Sequence, residues 1–74
     1  MYNFYKDAQF EYYSPINPIT LYTITVIGVS ACLGENGTFI EVEFSNSSVP
    51  DRVHNLSGES LYSQLKRHNA IQVS

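Results

Sequence analysis

Apolar and polar residues alternate along the middle of the chain, and the parity of that alternation changes once. From Tyr22 to Val26 the apolar positions are even: Tyr22, Ile24 and Val26. From Ile27 to Leu33 they are odd: Ile27, Val29, Ala31 and Leu33. Side chains of a strand alternate faces with a period of two, so a parity switch implies a defect in the pleat. Gly28 stands at the switch, and a glycine inside a strand often marks a bulge. The pattern predicts one long strand from Leu21 to Leu33 with a β-bulge near Ile27-Gly28.

Glu35-Asn36-Gly37-Thr38 follows, and Asn-Gly between two alternating runs is the strongest local hairpin signal. With Asn36 and Gly37 as the two loop residues of a type I′ turn, Glu35 faces Thr38. Leu33 then faces Ile40, Ala31 faces Val42 and Val29 faces Phe44. The other face of this hairpin pairs Cys32 with Glu41 and Ser30 with Glu43, so one side is apolar and the other wet.

Upstream, Ala8 to Tyr13 suits a short strand, with Phe10 and Tyr12 on one face and Gln9, Glu11 and Tyr13 on the other. Ser14-Pro15-Ile16-Asn17-Pro18 breaks it, because two prolines remove donors and fix φ. Downstream, Asn46 to Asn55 is polar, contains Pro50 and reads as irregular. Ser57 is then a good N-cap, with Glu59 at the positive end of the helix dipole. Leu56 before the cap and Leu61 form a hydrophobic staple. Leu61, Leu65 and His68 make one stripe, with Tyr62 beside it. Lys66, Arg67 and His68 crowd the last turn, and Asn69 can end the helix. Ala70 to Ser74 alternates as a final short strand. The expected fold is α+β: a small antiparallel sheet, made of the long bulged hairpin plus N- and C-terminal short strands, with one helix packed on one face. Residues 1–74 form a single small domain.

Composition narrows the function. A chain of 74 residues buries a modest core, and small domains compensate with disulfides, a metal or oligomerisation. Cys32 is the one cysteine, which rules out an intrachain disulfide. No Cys/His cluster has zinc-ligand spacing. Self-association therefore carries weight. The formal charge of −3 comes from four basic and seven acidic residues. Such a balance offers no basic patch to nucleic acid, so that partner class is not expected. The N-terminal residues lack the basic start and apolar core of a secretory signal. The run from Leu21 to Leu33 is too short and too polar to span a bilayer, so no membrane partner is expected. With a lone cysteine, the expected location is cytoplasmic.

Candidate chemistry is thin. Cys32 with His54 or His68 has the residue types of a nucleophile and base, but no third group is suggested, and a small strand residue opposite Glu41 explains Cys32 as well. His54 and His68 with Asp51 or Glu59 have metal-ligand types, but a spacing of fourteen matches no ligand pattern. No enzymatic activity, cofactor or metal is expected. The sequons at Asn36, Asn46 and Asn55 are explained by turn and capping chemistry.

Two features stand out. Six of the ten aromatic residues fall in the first thirteen positions: Tyr2, Phe4, Tyr5, Phe10, Tyr12 and Tyr13. That is more than one short strand normally buries, which points to an interface built on Tyr2, Phe4, Tyr5, Tyr12 and Tyr13. Core packing is the plainer alternative, and stacking of single-stranded bases is a third that lacks a positive groove. Second, Glu41 and Glu43 on the wet hairpin face, with Glu35 near the turn, form a candidate acidic strip; a solvated sheet face is its ordinary explanation. The expected function is a non-catalytic protein-binding module that occludes a partner protein. In general character only, such a chain resembles the small inhibitor and accessory proteins of bacteriophages and mobile elements. The alternatives are a self-associating subunit, for instance a homodimer, and a single-stranded nucleic-acid binder acting through the aromatic N-terminus.

Overall fold

The computed structural model describes all 74 residues. Five strands and one helix follow the order β1 (Gln9–Tyr13), β2 (Leu21–Gly34), β3 (Gly37–Asn46), β4 (Val53–Ser57), α1 (Gly58–Arg67) and β5 (Ile71–Gln72). All pairings are antiparallel, and the sheet order is β4-β3-β2-β1-β5. The fold is the expected α+β arrangement, one antiparallel sheet with a single helix packed on one face.

The bulge falls where the parity changes. Val26 pairs with Phe44 and Gly28 with Glu43, which leaves Ile27 as the extra residue of β2. The bulge lets Ile24 and Val26 on one side of it and Val29 on the other share the helix-facing side, despite their different parity. The turn differs from the expected one. Gly34 pairs with Gly37, so Glu35 and Asn36 are the two loop residues. Leu33 therefore faces Thr38, Ala31 faces Ile40 and Val29 faces Val42. The expected partners, Leu33–Ile40 through Val29–Phe44, are each displaced by two residues. The cause is local. A type I′ turn needs positive φ at both loop residues. Here positive φ falls on Gly37 (φ 111), and neither Glu35 nor Asn36 adopts it. The turn is therefore not type I′: its two loop residues keep negative φ, and the glycine that takes positive φ is the first residue of β3, directly opposite Gly34. A shift of two preserves the face of every side chain, so the apolar and wet sides of the hairpin stand as expected.

A second difference is β4, in the stretch expected to be irregular up to Asn55. Its inward positions are His54, opposite Phe44, and Leu56, opposite Val42. The His54 ring stacks on that of Phe44 at 5.2 Å, so an imidazole fills a position where a strand pattern calls for an apolar residue.

The helix starts and stops as the sequence dictates. The Ser57 hydroxyl accepts from the Ser60 N–H (3.1 Å). At the other end Asn69 takes φ 54, its N–H donates to the Lys66 carbonyl (3.1 Å), and the Ala70 N–H donates to the Leu65 carbonyl (2.9 Å). These two bonds are the pair of a Schellman motif, with asparagine supplying the left-handed residue. Leu61 and Leu65 are buried against Phe10, Ile24, Val26, Val42 and Phe44 of the sheet, with Ala8 and Ala70 completing the core. No helix is long and apolar enough to cross a membrane.

The molecule is elongated, 41 × 23 × 20 Å, because the β2–β3 hairpin continues past the helix. Leu61→Ala should cost about 2–5 kcal/mol in urea unfolding, whereas Leu33→Ala, at 87% exposure near the hairpin tip, should change stability by less than about 0.5 kcal/mol. The turn makes a sharper forecast. Gly37→Ala should cost about 1–2 kcal/mol and Asn36→Ala close to nothing; a loss of similar size at Asn36 would restore the type I′ turn.

Candidate functional site

The N-terminal aromatics divide into two groups. Tyr2, Phe4 and Tyr12 pack against the core. The Tyr2 and Phe4 rings meet Phe10 edge-on at 5.6 and 5.7 Å, and Tyr2 also meets Tyr62 at 5.2 Å. The Tyr2 hydroxyl donates to the Ala70 carbonyl (2.6 Å). Asn3 and Gln72 exchange two hydrogen bonds, which ties the N-terminal segment to β5. Tyr12 stacks on His68 at 4.9 Å, and its hydroxyl accepts from the Asn46 side-chain amide (2.8 Å). Their rings are thus held by neighbours within the fold. Tyr5 and Tyr13 are exposed and are the two members of the set free to meet a partner.

Tyr13 is not isolated. It pairs directly with Leu21 at the end of the β1–β2 ladder, and Ile71 of β5 lies opposite Glu11, on the same sheet face. Tyr13, Leu21 and Ile71 are all exposed, and with Pro15 they line a cleft of about 450 Å³. The helix C-terminus closes the cleft with Arg67, His68 and Asn69. Beside it lies the β1–β2 connection, residues 14–20, which contributes Ile16 at 93% exposure and Ile19 at 86%.

That connection is braced. The buried Ser14 hydroxyl accepts from the N–H groups of Ile16 and Asn17, each at 3.2 Å. The Ser14 N–H donates to the Thr20 carbonyl, and the Thr20 N–H to the Asn17 carbonyl, both at 2.9 Å. Pro15 and Pro18 fix two further φ angles. The two prolines mark this segment in the sequence as a strand break, and the strand pattern gives its two isoleucines no role. The available signal was a pair of large apolar residues alternating with prolines where a turn needs only polar ones.

Three of the seven acidic residues lie on the sheet face away from the helix. Glu41 pairs with Ser30 and Ser57, Glu43 with Gly28 and Asn55, and Glu11 with Thr23. This open face carries those three carboxylates and no Lys or Arg. Glu41 and Glu43 are half-buried among their strand neighbours, and Glu35 is exposed in the turn.

The residues with catalytic or ligating chemistry are dispersed. Cys32 pairs with Phe39 near the hairpin tip, on the open face. His54 lies on the helix side of β4, and His68 caps the far end of α1. No group of three His, Cys, Asp or Glu side chains could hold a metal ion.

The chain matches no known family model, no curated protein and no solved structure.

The division of the aromatics is checkable. Tyr2→Phe removes a hydroxyl whose partner is a carbonyl of the core residue Ala70, and should cost about 1 kcal/mol in urea unfolding. Tyr13→Ala should leave stability within about 0.5 kcal/mol of the parent.

Proposed function

We propose that the chain is a non-catalytic protein-binding module that docks its braced end onto another protein and occludes the surface it covers. One observation carries this reading. The 14–20 connection is fixed by hydrogen bonds and two prolines, yet it holds Ile16 and Ile19 almost wholly in solvent. A loop needs no such residues for its own stability, since exposed isoleucines bury nothing. Tyr13, Leu21 and Ile71, which share a cleft with Pro15 of the same loop, add exposed apolar surface at this end, and clustered apolar surface of that kind marks protein interaction sites. Pre-ordering lowers the entropic cost of association, because the anchors are already in place.

The fitting partner presents an apolar groove for Ile16 and Ile19 and a basic rim. Glu11, Glu41 and Glu43 on the adjoining open face favour approach of positive charge and would make the association rate fall with salt. Occlusion of this kind is how a small inhibitor or accessory protein acts. The half-exposed free thiol of Cys32 suits the reducing cytoplasm as the place where it acts.

An affinity-tagged chain in extract of its native host should retain one protein in stoichiometric amount. Ile16→Asp combined with Ile19→Asp should abolish retention while leaving circular dichroism and the unfolding midpoint unchanged. Equal retention by the parent and the folded double variant, or no retained protein with either, would sink the reading.

A further inference from the structure

The hairpin arm at the opposite end of the molecule supports a separate conclusion. β2 has β1 beside it only as far as Val26, whose N–H donates to Ala8 and whose carbonyl accepts from Asp7, each at 2.8 Å. At Lys6-Asp7 the chain turns away from β2, with Asp7 at φ 72. From Ile27 to Gly34 β2 is paired with β3 alone. In an antiparallel pair every second residue turns its N–H and carbonyl away from its partner, so this edge presents a row of unmade hydrogen bonds about 26 Å long.

Native edges of that length are normally blunted by lysine, proline or an inward charge. This one has none of them. No Asp, Glu, Lys, Arg or His occurs between Glu11 and Glu35, and no proline after Pro18 in that interval. The bulge at Ile27 sits at the start of the free edge and leaves the rest of it regular. The free edge of β3 beyond β4 is shorter, Gly37 to Ile40, and runs directly into Glu41.

We infer that the Ile27–Gly34 edge pairs antiparallel with the same edge of a second copy, joining the two five-stranded sheets into one. Three features select a second copy as the occupant. An edge that ends where β1 ends leaves an opening along β2 as long as the arm itself, so two arms related by a two-fold axis fill each other's openings and each tip meets the end of the other's β1. The chain carries a net charge of −3, and the edge itself holds no charged residue, so two copies approach along its length without setting charge against charge; only Glu35 at each tip comes near the Lys6-Asp7 turn of the other copy. The exposed apolar residues Val29 and Leu33, on the helix side of the arm, come beside the same residues of the second copy, because a two-fold axis normal to the sheet keeps both helices on one side. This surface is remote from the Ile16–Ile19 end, and neither reading depends on the other.

Sedimentation of the whole chain over a concentration series tests the inference. The parent should pass from monomer to dimer with a dissociation constant on the order of 100 µM or tighter, the range of a small interface. Amides in 27–34 should gain protection from hydrogen exchange as concentration rises. Ala31→Lys and Ser30→Lys each place a charge at an exposed position, one on either sheet face, and should weaken dimerisation about tenfold or more with the unfolding midpoint retained. Using both keeps the test sound if one variant folds poorly. A parent that stays monomeric throughout overturns the inference and leaves the edge open to a strand of another protein. A dimer unaffected by both lysines also overturns it, since the contact must then lie elsewhere.

Discussion

A mismatch of lengths governs this structure. The ten-residue helix is about 15 Å long, whereas the fourteen-residue strand it rests on extends about 45 Å. Leu61 and Leu65 can reach only the part of the sheet built from Phe10, Ile24, Val26, Val42 and Phe44. One small helix on a sheet this long leaves apolar positions uncovered at both ends. Everything distinctive about the chain answers that shortage of cover.

The first answer is the N-terminal segment. Tyr2 and Phe4 are laid over Phe10 beside the helix, extending the lid by aromatic edge contacts, and Gln72 fastens the segment at the sheet edge. Tyr12 and His68 do the same at the helix C-terminus, and His54 does so on Phe44. Aromatic and imidazole rings are suited to this work, because each covers a large area with few rotatable bonds. The open face is managed differently, with Thr, Ser, Gln and three glutamates along the strands. Among the apolar residues that neither device covers are Ile16 and Ile19 in the 14–20 connection and Val29 and Leu33 in the Ile27–Gly34 arm.

The elements that could be read from the sequence are those fixed by neighbours a few residues apart. The bulge at Ile27 shows as a parity change, the N-cap as Ser57, and the helix stop as Asn69. The hairpin was legible as to faces but not as to partners. The Glu35-Asn36-Gly37 segment supports two turns, one looping over Asn36-Gly37 with positive φ at both and one looping over Glu35-Asn36 with positive φ on Gly37 alone, and the ladder moves by two residues between them. β4 was hidden because His54 serves as an apolar residue only once Phe44 lies opposite it. The role of the N-terminal aromatics was undetermined for a similar reason. Tyr2 and Tyr13 look alike in composition, and what separates them is a contact with Ala70, 68 residues away. The surroundings of the candidate residues were therefore legible only in part: Tyr13 is exposed, Tyr2, Phe4 and Tyr12 pack within the fold, and nothing local to Ile16 and Ile19 showed that a braced loop holds them in solvent.

The two leftover surfaces gain meaning from their positions on the same strand. β2 begins at the apolar end with Leu21 and finishes at the arm tip with Gly34, so it fixes the orientation of one surface relative to the other. Antiparallel pairing of two arms about an axis near Ser30 would set the two Ile16–Ile19 ends about 60 Å apart, facing outward at opposite extremes of one sheet. On the proposed reading, that arrangement would present two identical docking ends on one continuous sheet. It can engage two sites on a repetitive or oligomeric partner, and the second contact is then made at high effective concentration. A weak individual contact suffices under those conditions, which fits anchors as few as two isoleucines and a tyrosine. The stiffness of the sheet also sets a spacing, so partners whose sites lie much nearer or farther apart gain no such advantage. The shortage of helical cover, a liability for a lone domain, would in this way supply both the joint and the two ends of the assembly.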